Sequence, residues 1–158
     1  MIDMLVKLLD LPDSQPSIDR LRQTGITIRR ANPWELSAVR EFITREWNVR
    51  WADEASVGFA NKPVSVFIAT KDGRVIGFAA HECTRRNFLG PMGVAKAEQT
   101  KGIGRALLLA SLHAMREMGY VYAVIGGVGP ATFYEKAAGA FTIPGSTPGI
   151  YQDLLKRD

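Results

Sequence analysis

The sequence predicts an α/β fold of the α+β kind: a mixed, mostly antiparallel central sheet flanked by helices. Three stretches carry that prediction. Residues 64–84 read as an apolar run, Lys71-Asp72-Gly73 and a second apolar run, and Asp-Gly between two such runs is the strongest short-range hairpin signal. Residues 104–119, "GRALLLASLHAMREMG", repeat apolar positions at helical spacing. Residues 120–127, "YVYAVIGG", then form an apolar strand of the sort covered on both faces in a sheet.

At 158 residues the chain is read as one domain over 1–158, long enough for a sizeable core. With 46% hydrophobic and 23% charged residues, disorder does not dominate. The net charge of +4 suits an anionic partner. No Lys/Arg run exceeds two residues (Arg29-Arg30, Arg85-Arg86), so a small anionic ligand is expected and no nucleic acid. A single cysteine, Cys83, excludes an internal disulfide and fits a reducing compartment. The opening "MIDMLVKLLDLP" is broken by Asp3, Lys7 and Asp10, unlike a signal peptide, and no apolar run approaches the ~18 residues of a membrane span. The expected location is the cytoplasm, without a membrane partner.

The elements follow in order. "IDMLVKLL" fits a strand or a short helix equally. Residues 11–17 form a loop with two prolines. Residues 17–25 read as a short helix capped by Ser17 and ended by Gly25. Residues 26–31 alternate as a strand. Residues 32–47 form an amphipathic helix started by Asn32 or Pro33, with Leu36, Val39, Phe42, Ile43 and Trp47 as its stripe. "ADEASVGFAN" continues as a second short helix. After the hairpin, "NFLGPMGV" (87–94) is a strand whose Gly90-Pro91 suggests an edge or a bulge, because proline lacks a ladder donor. In the helix that follows, Ile103, Leu107, Ala110, Ala114 and Met118 make one face, while Arg105, Leu109, His113 and Arg116 read as facing solvent. "PATFYEKAA" (130–138) is a short helix with proline in its first turn, and "GIYQDLL" (149–155) closes the sheet.

"AEQTKGIGRALL" (97–108) joins a strand to a helix through two glycines. Free N–H groups and the dipole at a helix start favour anions, and glycines let successive N–H groups converge on one. Lys101 and Arg105 add positive charge on either side. The loop is not a P-loop, because no Gly-Lys pair occurs in the chain. It is a poor dinucleotide fingerprint, because Leu107 stands where a third glycine belongs. By itself the stretch reads equally as a helix-capping turn.

Gln99-x-x-Gly102-x-Gly104-Arg105, after "GPMGV" and before an apolar helix, resembles the acyl-CoA pyrophosphate loop of the GCN5-related N-acetyltransferases (the GNAT superfamily). A second segment is similar as well: the strand "YAVIGG", then Phe133-Tyr134-Glu135-Lys136 and Gly139. The resemblance covers about residues 64–140. The chain departs from it in two places. Gly127 stands where the family often has asparagine, and Tyr-Glu-Lys-Ala-Ala-Gly is one residue longer than the usual spacing.

The resemblance implies a GNAT-like acyl-CoA-binding fold and an acetyl-CoA-dependent N-acetyltransferase, in which a primary amine, expected to be a small molecule, attacks the thioester directly. It assigns the cofactor to the backbone of Met92, Gly93 and Val94, to the loop Gln99, Thr100, Lys101, Gly102, Ile103, Gly104 and Arg105, and to Phe133 and Lys136. It implies that Tyr134 protonates the departing thiolate; taken singly, Tyr134 reads as a core tyrosine. Two other functions stay open: a non-catalytic acyl-CoA-binding or sensing module, and a protein N-terminal or lysine acetyltransferase.

The incoming amine must lose a proton. His81 and Glu82 are neighbours on a strand and face opposite sides. Glu82, grouped with Ile76, Phe78 and Ala80, is the preferred base, since a carboxylate also attracts a cationic amine. Its plainer reading is an edge carboxylate in water. Glu54 is a second candidate beside Trp51, and with Trp47 and Asp53 the pair suits an aromatic, acidic pocket for a cation, or else a packing helix with a solvated face. Cys83 reads as a small buried apolar group. No metal site is expected, because His81, Cys83 and His113 lack ligand spacing. Homodimerisation through the last strand is compatible with the sequence, which does not require it.

Overall fold

The structure is a computed structural model and describes residues 1–99 and 101–156; Thr100, one of the expected loop residues, lies outside them. Seven strands form one sheet: β1 Ile2–Lys7, β2 Thr27–Arg30, β3 Val66–Lys71, β4 Arg74–His81, β5 Phe88–Val94, β6 Tyr122–Val128 and β7 Phe141–Thr142. Their order is β2-β3-β4-β5-β6-β1-β7. Every neighbouring pair is antiparallel except β5 and β6. The mixed, mostly antiparallel sheet is therefore present as the sequence predicts.

Five α-helices flank it: α1 Gln15–Gln23, α2 Leu36–Glu46, α3 Val49–Ser56, α4 Ile103–Glu117 and α5 Ala131–Ala138. On one sheet face, Val39, Phe42 and Ile43 of α2 and Ala52 and Ala55 of α3 pack on Ile68 and Phe78. On the other, α4 spans two clusters. Ile103 and Leu107 meet Leu21 and Ile28, while Leu108, Leu112 and Met115 meet Met4, Val6 and Ile125. Burying each of the Leu, Ile, Val, Phe and Met side chains among these stabilises the fold by about 1.5–3 kcal/mol.

Several expectations change. The ambiguous start is a strand, and it slots between β6 and β7. Helix α1 begins at Gln15, not Ser17, because Pro16 fits a first turn and the Asp13 carboxylate accepts the Gln15 N–H. Ser17 is consequently buried inside the helix. Asn32 caps a 3-10 turn, Pro33–Glu35, through a reciprocal box with Glu35, and Leu36 starts the α-helix proper. The second short helix begins earlier than expected, at Val49, where the Asn48 side chain caps the Trp51 N–H. Helix α4 is buried nearly all round: Leu109 of the supposed solvent stripe is fully buried, while Met118 lies past the helix end and is exposed. Strand β6 buries Ala123, Ile125 and Val128 but leaves Tyr122 exposed, so it is not covered on both faces. Residues 149–155 form no strand. The short β7 takes the edge position instead, and the tail beyond it folds back over the sheet's end.

Candidate active site

Strands β5 and β6 pair only at Phe88↔Val124 and Leu89↔Ile125 and then diverge. Gly90-Pro91 lies where they part. The expected irregularity is real, but β5 is an interior strand, not an edge. Past Pro91, β5 remains paired with β4 at Ala79↔Met92, Phe78↔Gly93 and Gly77↔Val94. Ala95 donates to the Ile76 carbonyl at 2.9 Å. By antiparallel alternation Gly93 also bonds toward β4, so Met92 and Val94 turn their N–H groups into the widening gap. Of the three expected donors, the ladder frees these two.

The gap opens into a cleft of about 530 Å³. Its walls are Met92, Gly93 and Val94 on one side and Phe133 and Tyr134 on the other. Gln99, Gly102, Ile103, Gly104 and Arg105 form the end of the cleft, and Trp47 also borders it. Gly102 adopts φ +81°, a left-handed conformation suited to glycine, and caps α4. A Cβ on Gly104 would meet Phe133 at 3.5 Å, an ordinary van der Waals contact, so packing alone does not demand the second glycine. The Gln99 side chain donates to the Val94 carbonyl at 3.3 Å, tying the loop to β5. Burial raises the Tyr134 phenol above its ordinary pKa, and Phe133 packs edge-on against its ring at 5.0 Å. The phenol is therefore fully protonated at neutral pH. Lys136 is exposed in the last turn of α5 and does not line the cleft.

A second, smaller cavity of about 80 Å³ adjoins the first along β5: Leu89, Gly90 and Pro91 line it, and Met92 begins the large cleft. Trp51 and Glu54 of α3 line this cavity, as does Thr84, whose hydroxyl donates to the Glu54 carboxylate. Trp51 stacks on Trp47 with ring centroids 5.7 Å apart, and both contact Phe78.

The cavity's lid is a residue that the sequence reading missed. Tyr151 lies over Gly126 and Gly127, where a Cβ would come 2.6 Å from its hydroxyl oxygen and 2.9 Å from its Cζ respectively. Burial, with the Asp3 and Glu54 carboxylates nearby, pushes its pKa up to about 12. Asp3 anchors the tail: its N–H donates to Ser146 Oγ, its carbonyl accepts from Ile143, and its carboxylate accepts the Gly127 N–H at 2.8 Å. The adjacent glycines of "VIGGV" were the available signal for such a close approach.

Glu82 is elsewhere. Strand β4 ends at His81, and Glu82 turns the chain with φ +57°, so strand alternation does not extend to it. Its carboxylate accepts the Asn87 N–H at 2.5 Å and the Tyr120 hydroxyl at 3.0 Å. It lines neither cavity. His81 is buried and stacks on Phe67 with ring centroids 6.1 Å apart. Burial, reinforced by the Arg30 charge, lowers its pKa to about 4. The thiol of half-buried Cys83 is pushed up to about 11 by burial, which makes it a poor nucleophile.

Residues 62–137 match the family model described as the acetyltransferase (GNAT) domain. The fold resembles the GCN5-related glucosamine N-acetyltransferase region of a fungal multi-domain GH3 β-N-acetylglucosaminidase (TM-score 0.72, 18% identity), covering 90% of this chain and 19% of that one. It also resembles a GCN5-related N-acetyltransferase from Sphaerobacter thermophilus (TM-score 0.69, 18% identity, 90% of this chain and 48% of that one). A GNAT family acetyltransferase from Brucella melitensis, solved in complex with acetyl-CoA, matches at TM-score 0.53 and 22% identity, over 75% of this chain and 86% of that one. The chain thus spans about a fifth and about half of the first two structures. Among curated proteins no sequence match is found. The matched domain, the sheet that parts between β5 and β6 and the glycine loop at the head of α4 agree: residues 62–137 are similar to the acetyltransferase (GNAT) domain, and the chain shares the fold of the GNAT structures it resembles.

Proposed function

We propose that the chain transfers the acetyl group of acetyl-CoA to a small primary amine. One observation carries this reading: a single strand, β5, borders both a long cleft and a small acid-bearing cavity, which meet at Pro91–Met92. The cleft suits an acyl-CoA arm, with the glycine loop and Arg105 at its phosphate end. The cavity suits the head of an amine. Acetyl-CoA supplies an acetyl group activated as a thioester.

The chain's own residues then have three tasks. The N–H of Met92 or Val94 holds the carbonyl oxygen as it gains charge; losing such a donor typically costs ~2.7–4 kcal/mol of barrier. Tyr134, protonated and half-buried beside the same cleft, delivers its proton to the departing sulfur. Glu54, steadied by Thr84, attracts the ammonium form of the substrate and accepts its proton, directly or through water. Trp51 adds an aromatic face to the same cation. Glu82, committed to Asn87 and Tyr120, serves the fold in this reading rather than the proton transfer. A cavity of about 80 Å³ favours a small amine over a peptide segment.

Thiol release from acetyl-CoA with a panel of amines tests the reading, comparing wild type with Tyr134→Phe. Turnover with one amine class, reduced about 10²-fold or more in the variant, is expected. If acetyl-CoA raises the melting temperature but no amine reacts, the domain is a binding module and the catalytic reading falls.

A further inference from the structure

We propose that Arg20, Lys101 and Arg105 form a phosphomonoester site that takes the 3′-phosphate of acetyl-CoA, built by the docking of α1 against the start of α4. The inference rests on the acetyl-CoA reading above and adds a second point of recognition to it.

A cavity of about 450 Å³ lies between the two helices, on the far side of the glycine loop from the thioester cleft. It shares Gly102 and Arg105 with that cleft. A ligand whose pyrophosphate sits at Gly102 therefore reaches into both. The acyl arm fills one, and the nucleotide end, which carries the 3′-phosphate, enters the other.

The two arginines of this cavity share a neutral partner. Arg20 donates to Ser17 Oγ at 3.4 Å, and Arg105 donates to the same oxygen at 3.0 Å. Ser17 is buried and neutral. Two guanidinium groups thus converge on one hydroxyl, and among the described residues neither forms an ion pair with a carboxylate. The nearest acid on α1, Asp19, is engaged by Arg22 and Gln15. Like charges held this close repel, and a dianionic phosphate between them would reverse the sign of the interaction. Lys101, which pairs with Glu98, lines the same cavity. Helix α1 lies outside the matched domain of residues 62–137, so Arg20 comes to the site from this chain's N-terminal segment, while Lys101 and Arg105 come from within that domain.

The test is calorimetric titration of the full chain with acetyl-CoA and with 3′-dephospho-acetyl-CoA. Wild type should bind acetyl-CoA about tenfold more tightly or better, the size expected for a charged hydrogen bond. In Arg20→Ala that ratio should collapse toward one, through weaker binding of acetyl-CoA alone, and Arg20→Lys should recover part of it. The preference should shrink with added salt. Equal affinity of wild type for the two ligands, as a site for free inorganic phosphate would give, overturns the proposal. So does a preference that Arg20→Ala leaves intact. If wild type binds neither ligand, the acetyl-CoA reading itself fails and takes this site with it.

Discussion

Gly93 lies directly beneath Trp47: a Cβ on residue 93 would come within 2.3 Å of Cζ2 of the indole. Phe42, Trp51 and Phe78 pack around the indole at centroid distances of 5.5–5.7 Å, so moving it aside would break these contacts. Gly93→Ala should therefore destabilise the protein by about 1–3 kcal/mol, the cost of an overpacked core. Thermal unfolding of wild type and variant measures it. An unchanged melting temperature would mean that the aromatic cluster is looser than this packing requires.

Glu54→Gln keeps the shape of the side chain and its bond from Thr84 but removes the charge and the base. In the proposed reaction it should lower kcat/KM for the amine by about 10²-fold while leaving KM for acetyl-CoA near wild type. Steady-state kinetics with both substrates varied separates the two effects. Equal losses for both substrates would argue for a structural role.

Removing the lid should change which amines react. Tyr151→Ala enlarges the small cavity beside Gly126 and Gly127, so bulkier amines should gain kcat/KM relative to small ones. A matched series of linear and branched amines reads the shift. The same ranking in both proteins would show that Tyr151 does not limit size.

Glu82→Gln addresses the carboxylate that the sequence favoured. Its two charge-assisted bonds brace the turn from β4 into β5. The variant should unfold about 1.5–3 kcal/mol more easily, the range for hydrogen bonds to a charged group. Its kcat should stay close to wild type. A kcat loss of 10²-fold at full stability would restore Glu82 as the base.

His81 should make the fold acid-sensitive. Its pKa is about 4 when folded against the ordinary 6.5 of a solvated histidine, so the unfolded chain takes up the proton first as pH falls. Stability contributed by the neutral ring is complete above about pH 6.5 and declines toward pH 4, by roughly 3 kcal/mol in all. Denaturant unfolding across that window should be flatter for His81→Gln than for wild type.

The residues that were legible in the sequence are those whose chemistry is local. The Asp72-Gly73 hairpin, the glycine loop and the Phe133-Tyr134 helix each announce themselves within a few positions, because turn geometry and helix capping are set by near neighbours. Glu82 was misread for a related reason: period-two alternation holds only while the strand lasts, and a left-handed residue at the strand end cancels it. Tyr151 and Ser17 were invisible as site residues. Their roles arise from contacts with Gly126, Gly127 and Arg105, more than twenty positions away, and no local pattern records such contacts.

The position of β1 has a consequence for the order of events during synthesis. Residues 2–7 are translated well before their partners, residues 122–128 and 141–142. Until those leave the ribosome, Met4, Val6 and Leu8 have no sheet to cover them, and the far half of the sheet cannot assemble. Closure of that half is a late, long-range event, of the kind that slows folding and leaves apolar strands exposed meanwhile. The same pairing seats Asp3 beneath the segment that carries Tyr151, so the small cavity becomes complete only when β1 has joined residues 143–151.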